Sequence, residues 1–265
     1  RYVVSQMKKY GVDCSKVKID SAEVTSSSNV MTEEETGERT FFYAKGANGK
    51  FSIDDIDVDN LDCEIFHIGY ILLLDELDKA DDEYSTKMAR LLHRVSEAGI
   101  KTSIDVISAE NGAFAEKIIP ALKYCSYTIM NEIECCKVSG LSPRKDDGSI
   151  NIRKTMESFI EYGVKEKVIV HCSECGFLLN SDREFTVVPS LELPDGYIKG
   201  SVGAGDAYAA GCLYGIYNGY TDKEILEFAA GAAACSLSES DSIGGMKTRK
   251  EIEQINKLYK RRTIK

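Results

Sequence analysis

The sequence predicts an α/β fold, a mostly parallel sheet with helices on both faces and a small β lid. Three observations predict it. From about residue 62 onward, short apolar runs alternate with amphipathic stretches of helical period. The runs are apolar throughout rather than every second residue, as strands covered on both faces must be. Residues 12–50 break that alternation with β-prone and turn-forming segments. The expected organisation is a small β lid over 12–50, attached to an α/β body over 1–11 and 51–265.

Each element has its own warrant. Residues 2–10 carry Val3, Val4, Met7 and Tyr10 on one helical stripe, and Gly11 supplies a stop. Thr36-Gly37 is a turn before the β-prone run from Arg39 to Tyr43. Residues 65–74 read as a buried strand. Residues 84–98 read as a helix, with Met88, Leu91, Leu92 and Val95 on one face and Gly99 at its end. A strand over 102–107, a helix over 113–123 strained by Pro120, and a strand over 127–130 follow. A short helix over 132–139 closes at Gly140, and a polar loop covers 141–149. A helix over 152–162, a strand over 168–172 and a second strand opening at Phe177 come next. Residues 204–218, 223–236 and 249–259 are three late helices.

Composition narrows the function. In 265 residues, Lys and Arg total 33 and Asp and Glu total 43, a net charge of −10. That balance opposes a general nucleic-acid or anionic-membrane binder, though a nucleotide needs only a local cradle. The longest apolar run ends at Asp75, too short to cross a bilayer. Nine scattered cysteines, without a basic and apolar leader, point to reduced thiols and a cytoplasmic home. Cys172 and Cys175 form a C-x-x-C. With no second pair at zinc-ribbon spacing, it reads first as packing beside a strand end, with a redox or metal role as the competitor.

One segment carries chemistry. Residues 200–211 read Gly-Ser-Val-Gly-Ala-Gly-Asp-Ala-Tyr-Ala-Ala-Gly. Gly203, Ala204 and Gly205 open a helix. Their backbone N–H groups and the helix dipole suit phosphate oxygens. Asp206 in the first turn is placed to accept the proton of an attacking hydroxyl. Close helix packing and a dipole-favoured acid explain the same residues, so spacing alone leaves both readings open. A P-loop is absent, so the Walker-type design is not used, and the lack of an early G-x-G-x-x-G speaks against the rival reading of a Rossmann-type nucleotide-binding domain with other chemistry. Asn131 and Glu134, three apart just after a strand, share a helix face. They fit either a capping box or a site for magnesium and phosphates.

The run from Ser201 to Tyr208 resembles the C-terminal signature of the ribokinase-like carbohydrate kinases, the phosphofructokinase B family. Asn131-Glu132-Ile133-Glu134 resembles that family's Asn-x-x-Glu motif. Residues 168–176 resemble the strand and turn beside the nucleotide. Gly37 to Phe41, with Gly46-Ala47-Asn48, resembles the lid strand and its return toward the sugar. Residues 228–245 resemble the helix and loop beside the adenine. The resemblance covers essentially the whole chain. It implies an ATP-dependent sugar kinase with Asp206 as general base and Gly203, Ala204 and Gly205 as the anion hole. It also implies Asn131, Glu134, Ser173, Gly176 and Ser201 at Mg2+–ATP, with Glu134 toward the metal. Asn48, Tyr43 and Asp105 fall at the substrate, a sugar or a nucleoside. A homodimer through the β lid is the implied assembly.

The chain departs from the pattern in places. Gly200 stands where many members carry an Asp beside a monovalent cation, which puts that cation in doubt. Ser201 replaces a Thr and keeps its hydroxyl. Asp105-Val106-Ile107-Ser108-Ala109 lacks the Asn and Arg of an Asp-x-Asn-x-Arg motif. His67 and His171 read as packed residues. The family's opening strand and Gly-Gly segment have no counterpart here, so an N-terminal segment is expected to be missing, with an incomplete sheet as the consequence. The competing readings are a nucleoside kinase of the same fold and a non-catalytic nucleotide- or sugar-binding protein.

Overall fold

The computed structural model describes residues 2–33, 39–107, 114–145 and 151–263. The turn expected at Thr36-Gly37 lies outside them, with Glu38, Ser108 and Ala109. The chain opens with α1 (Tyr2–Lys9) and a two-stranded antiparallel ribbon, β1 (Ser27–Thr32) and β2 (Arg39–Ala44). Three short 3-10 turns lead to β3 (Ile65–Ile71) and a miniature hairpin, β4 (Ala80–Asp81) and β5 (Ser85–Thr86). Then come α2 (Lys87–Glu97), β6 (Lys101–Val106), α3 (Phe114–Leu122), β7 (Tyr127–Asn131), α4 (Glu132–Ser139) and α5 (Arg153–Glu161). β8 (Lys167–His171), β9 (Cys175–Asn180) and β10 (Phe185–Pro189) finish the sheet, and α6 (Ala204–Tyr217), α7 (Asp222–Ser236) and α8 (Arg249–Leu258) close the chain.

The main sheet has six strands in the order β10-β9-β8-β7-β6-β3. β3, β6, β7 and β8 run parallel, and β9 and β10 turn back antiparallel. Strand period decides which residue serves which core. On β8, Val168 and Val170 pack with Met88, Leu92, Ile118, Met156 and Phe159 of α2, α3 and α5. Ile169 between them packs on the opposite face with Tyr208 and Cys212 of α6 and Ile225 and Leu226 of α7. Both faces are therefore covered, as the apolar runs require. On the far side of the sheet α6 and α7 approach very closely. A Cβ at Gly211 would lie 2.7 Å from the Ala229 Cα.

Three expectations change. The helix expected from residue 84 starts at Lys87, because Thr86 is its N-cap, its hydroxyl accepting the Ala89 N–H at 3.1 Å. Tyr84 and Ser85 belong to the hairpin instead, where the Asp81 carboxylate accepts the Tyr84 N–H at 2.9 Å. β3 is less buried than its apolar run implies. It is an edge strand with β6 as its one neighbour among the described strands, and His67 and Gly69 are exposed. β10 was not foreseen. It ends on Pro189, a residue that an edge strand tolerates.

Candidate active site

Parallel strands point their carboxyl ends to one edge of the sheet, and ligands bind where such ends converge. Tyr70 near the end of β3, Asp105 near the end of β6, Asn131 at the end of β7 and His171 at the end of β8 share that edge. The N-terminus of α6 rises beside them. Its cap, Gly203, has φ +82°, a left-handed conformation. A Cβ there would lie 2.5 Å from the Ser242 carbonyl oxygen and 2.7 Å from its Cα, so only glycine fits both demands. Among the described residues, the N–H groups of Gly205 and Asp206 donate to no main-chain carbonyl. Those two donors and the dipole of a 14-residue helix make a local positive end.

Asp206 sits exposed in that first turn. The Tyr70 hydroxyl donates to its Oδ1 across the edge of the sheet. Burial first, then this bond and the charges of Asp206, Asp105 and Glu134, push the Tyr70 phenol well above its ordinary value. It therefore stays protonated and orients the Asp206 carboxylate. Sequence reasoning missed Tyr70. A tyrosine in an apolar strand reads as core, and its partner lies 136 positions away.

Asp105 belongs to the same cluster. Burial, and next the Glu134 charge, raise its carboxyl to about 8; Asp206 adds to the rise, and the Val106 N–H at 2.7 Å opposes it. The folded chain thus keeps a proton on Asp105 where an unfolded chain, at about 3.9, has released it. Stability from this group is complete below about pH 4 and is lost as pH climbs through about 8. Asp105→Asn mimics the protonated form. It is expected to flatten the stability profile over that window, by up to about 1.4 kcal/mol per pH unit relative to wild type. Urea unfolding at pH 5 and pH 8.5 checks it, and parallel profiles would refute the assignment.

Asn131 and Glu134 form a capping box at α4. Asn131 Oδ1 accepts the Glu134 N–H at 2.9 Å, and Glu134 Oε2 accepts the Asn131 N–H at 3.0 Å. The box holds the buried Glu134 carboxylate close enough to Tyr70 and Asp105 to shift both. Both readings of the motif are thus compatible in one geometry.

On the other side of the α6 N-terminus lies a cavity of about 800 Å³, lined by His171, Cys172, Ser173, Ser201, Ala204, Gly205, Tyr208, Ala230 and Arg262 among others. This is the size of a small-molecule site. Ser173 and Ser201 reach it, as do Ala204 and Gly205. Gly176 lies behind the wall: a Cβ there would fall 1.8 Å from the Tyr208 hydroxyl, which is buried and unpartnered among the described residues. Burial drives His171 down to about 4, so it lines the cavity as a neutral ring against Tyr208. Gly200 backs onto Ser240, whose Cα would sit 2.9 Å from an added Cβ, leaving no room for an acidic side chain. Tyr43 and Asn48 stay with the ribbon and the turn after it, and no hydrogen bond among the described residues ties either to the Asp206 cluster. Lys45 beside them pairs with Asp75.

Comparison with known proteins places this geometry. The model of the pfkB family of carbohydrate kinases matches residues 1–249. The chain is 34% identical to a 5-dehydro-2-deoxygluconokinase of Geobacillus thermodenitrificans over 101 residues, 38% of this chain and 29% of that one. It is 24% identical to a ribokinase of Arabidopsis thaliana over 248 residues, 94% of this chain and 61% of that one. It therefore spans less than two thirds of the length of these relatives. A putative ribokinase II of E. coli, solved with ATP and Mg2+, superposes with a TM-score of 0.75 at 20% identity. The match covers 96% of this chain and 78% of that one. At such identity the likeness concerns the fold alone, the ribokinase-like α/β sheet with its small antiparallel ribbon. The family match spans nearly the whole chain and includes the glycine-capped helix that carries Asp206; on that ground the chain belongs to the pfkB family of carbohydrate kinases.

Proposed function

We propose that this chain carries the catalytic end of an ATP-dependent kinase that phosphorylates a sugar hydroxyl. One observation carries the reading: the Asp206 carboxylate stands beside two undonated N–H groups at a helix N-terminus, between the strand-end cluster and the 800 Å³ cavity. ATP fits the cavity side, with its phosphates at the α6 N-terminus and Ser173 and Ser201 along the wall. The acceptor hydroxyl belongs on the strand-end side. Asp206 takes its proton as the oxygen attacks, with Tyr70 holding the carboxylate in line. The N–H groups of Gly205 and Asp206 stabilise the transferred phosphoryl group. That two relatives are named ribokinase and 5-dehydro-2-deoxygluconokinase supports a sugar as acceptor.

The carboxylates also fit a divalent cation. Burial first, and then the charges of Glu134 and Asp206, keep Asp105 protonated, and a bound cation relieves the part that is repulsion. A carboxylate and an amide, completed by phosphates and water, suit Mg2+. Asn131 and Glu134 would hold it, and it would neutralise charge on the phosphates. Glu134→Gln keeps the capping box, since glutamine serves there, but removes the charge. It is expected to raise the Mg2+ concentration for half-maximal activity several-fold. An unchanged titration would remove Glu134 from the metal site.

The β1–β2 ribbon and residues 12–50 form the lid in this reading. Met31 and Phe42 are exposed on the ribbon, which supports pairing of two lids in a homodimer. The crowding at Gly200 supports a kinase without the acidic residue that elsewhere accompanies a monovalent cation. Nine unpaired thiols support a reducing, cytoplasmic setting, and among the described residues no helix is long and apolar enough to cross a membrane. The decisive test is ADP release from ATP by the full-length protein across sugars, sugar phosphates and nucleosides. Release with one sugar, abolished in Asp206→Asn, is the expected result. Release with nucleosides alone would redirect the reading to a nucleoside kinase. ATP binding without release would point to a binding protein.

A further inference from the structure

The C-x-x-C pair sits where it can act on the cavity. Cys172 and Cys175 flank the two-residue turn Ser173-Glu174 that joins β8 to β9. The Cys172 N–H donates to the Cys175 carbonyl at 2.9 Å, so the two residues face each other across the hairpin. Their Sγ atoms lie 3.7 Å apart. A directly opposed, hydrogen-bonded pair of antiparallel residues has Cα atoms about 5.5 Å apart, inside the range a disulfide spans. Cys172 is half-buried and lines the cavity wall, while Cys175 is buried directly beneath it. Among the described residues no other pair of cysteine sulfurs is shown within hydrogen-bonding reach, and Cys135 and Cys136 are adjacent on one helix.

The two thiols are unequal. Either sulfur can donate to the other, and the Cys172 thiol also reaches the Cys175 carbonyl at 3.4 Å. The contact between the sulfurs, with the N–H groups of the turn, holds Cys172 below its ordinary value despite burial, and the same contact, with burial, pushes Cys175 up. An accessible, activated sulfur above a protonated buried one is the arrangement of an attacking and a resolving thiol.

We propose that Cys172 and Cys175 are a reversible thiol–disulfide site whose closure reshapes the wall of the ATP cavity and weakens nucleotide binding. The oxidant is a low-molecular-weight disulfide such as oxidised glutathione. The Cys172 thiolate attacks one of its sulfurs, a mixed disulfide forms, and one small thiolate leaves. Cys175 then attacks the Cys172 sulfur, the intramolecular S–S bond forms, and the second small thiolate leaves. Two protein thiols lose two electrons and two protons; one small disulfide becomes two thiols.

Geometry links this step to the cavity. A disulfide needs an S–S distance of about 2.05 Å, so the sulfurs must close by roughly 1.6 Å. Cys175 cannot supply that movement easily, because it is buried in the core with Val170 and Phe177, whereas Cys172 is only half-buried at the turn. The movement falls on Cys172 and Ser173, and Ser173 is both a wall residue and the carbonyl acceptor of Arg262 at 3.3 Å. By linkage, a nucleotide that prefers the open wall must disfavour the disulfide by the same factor.

The gating half of this proposal rests on the nucleotide reading of the cavity; the disulfide itself does not. The test equilibrates the full-length protein across reduced-to-oxidised glutathione ratios, traps thiols with iodoacetamide and maps peptides by mass, while calorimetry measures ATP affinity of each form. The expected product is a 172–175 link two hydrogens lighter than the dithiol. ATP affinity is expected to fall about tenfold on oxidation, and saturating ATP to move the midpoint by about 30 mV toward more oxidising potentials. Cys172→Ser is expected to bind ATP with an affinity that no longer responds to oxidant. A pair that stays a dithiol, or carries only glutathione, at every ratio overturns the proposal. Equal ATP affinity of the linked and reduced forms overturns the gate alone. Reduced protein that binds no ATP overturns the nucleotide reading, and the gate with it, while the peptide map still judges the disulfide.

Discussion

Asparagine at position 206 is expected to lower turnover by at least about a hundredfold while ATP affinity stays within a few-fold. The substitution is nearly isosteric, and the asparagine Oδ1 still accepts the Tyr70 hydroxyl, so the α6 turn keeps its shape. What disappears is the capacity to accept a proton, and general-base catalysis is worth about 10²–10⁴ in rate. The cavity walls are untouched, because Asp206 does not line them. Steady-state turnover with calorimetric ATP binding separates the two effects. Turnover within tenfold of wild type would remove Asp206 from the chemistry, and a parallel loss of ATP affinity would mean that the residue shapes the turn instead.

Gly203→Ala carries the second large effect, on stability and activity together. An alanine at φ +82° costs about 1–2 kcal/mol of left-handed strain before any contact is considered. Its Cβ would then meet backbone atoms of Ser242 at 2.5 and 2.7 Å, and backbone cannot rotate aside. Either the α6 N-terminus or the loop carrying Ser242 must move, and both border the amide donors. The internal control is Gly219→Ala at the other end of α6. Gly219 has φ +69° and nothing within 4 Å of an added Cβ, so it meets strain alone. Gly219→Ala should lower Tm by about 2–4 °C per kcal/mol of strain with turnover unchanged. Gly203→Ala should lower Tm further and turnover by more than tenfold. Equal effects of the two would mean that the crowding at Ser242 is relieved without consequence.

Much of this was legible because the determining interactions are local. The α4 N-terminus is visible as Asn131 and Glu134 at capping-box spacing, and the α6 start as a run of small residues before an acid. The apolar run of β8 implied two covered faces, and Val168, Ile169 and Val170 divide between two cores. What stayed hidden depends on partners far along the chain. The β3 run is apolar like β7, yet among the described strands it has one neighbour rather than two, and hydropathy does not count neighbours. Tyr70 looks like any core aromatic until the fold sets its hydroxyl against Asp206. β10 is held by its pairing with β9, a partner that no local pattern in residues 185–189 announces. The Cys172–Cys175 pair was visible as spacing, but only the hairpin shows that the sulfurs face each other and that Cys172 lines a cavity.

The close crossing of α6 and α7 has a consequence for motion. At Gly211 and Ala229 the backbones touch with no side chain long enough to change rotamer between them. Such a contact cannot be loosened by degrees; it is made or it is broken. Hydrogen exchange should therefore report the amides of both helices opening together, at a free energy near that of global unfolding, while α1, which buries no residue, exchanges early. Asp206 would then ride on one of the last parts of the molecule to open. Asp206 keeps its place on this paired helix core while less protected elements open first.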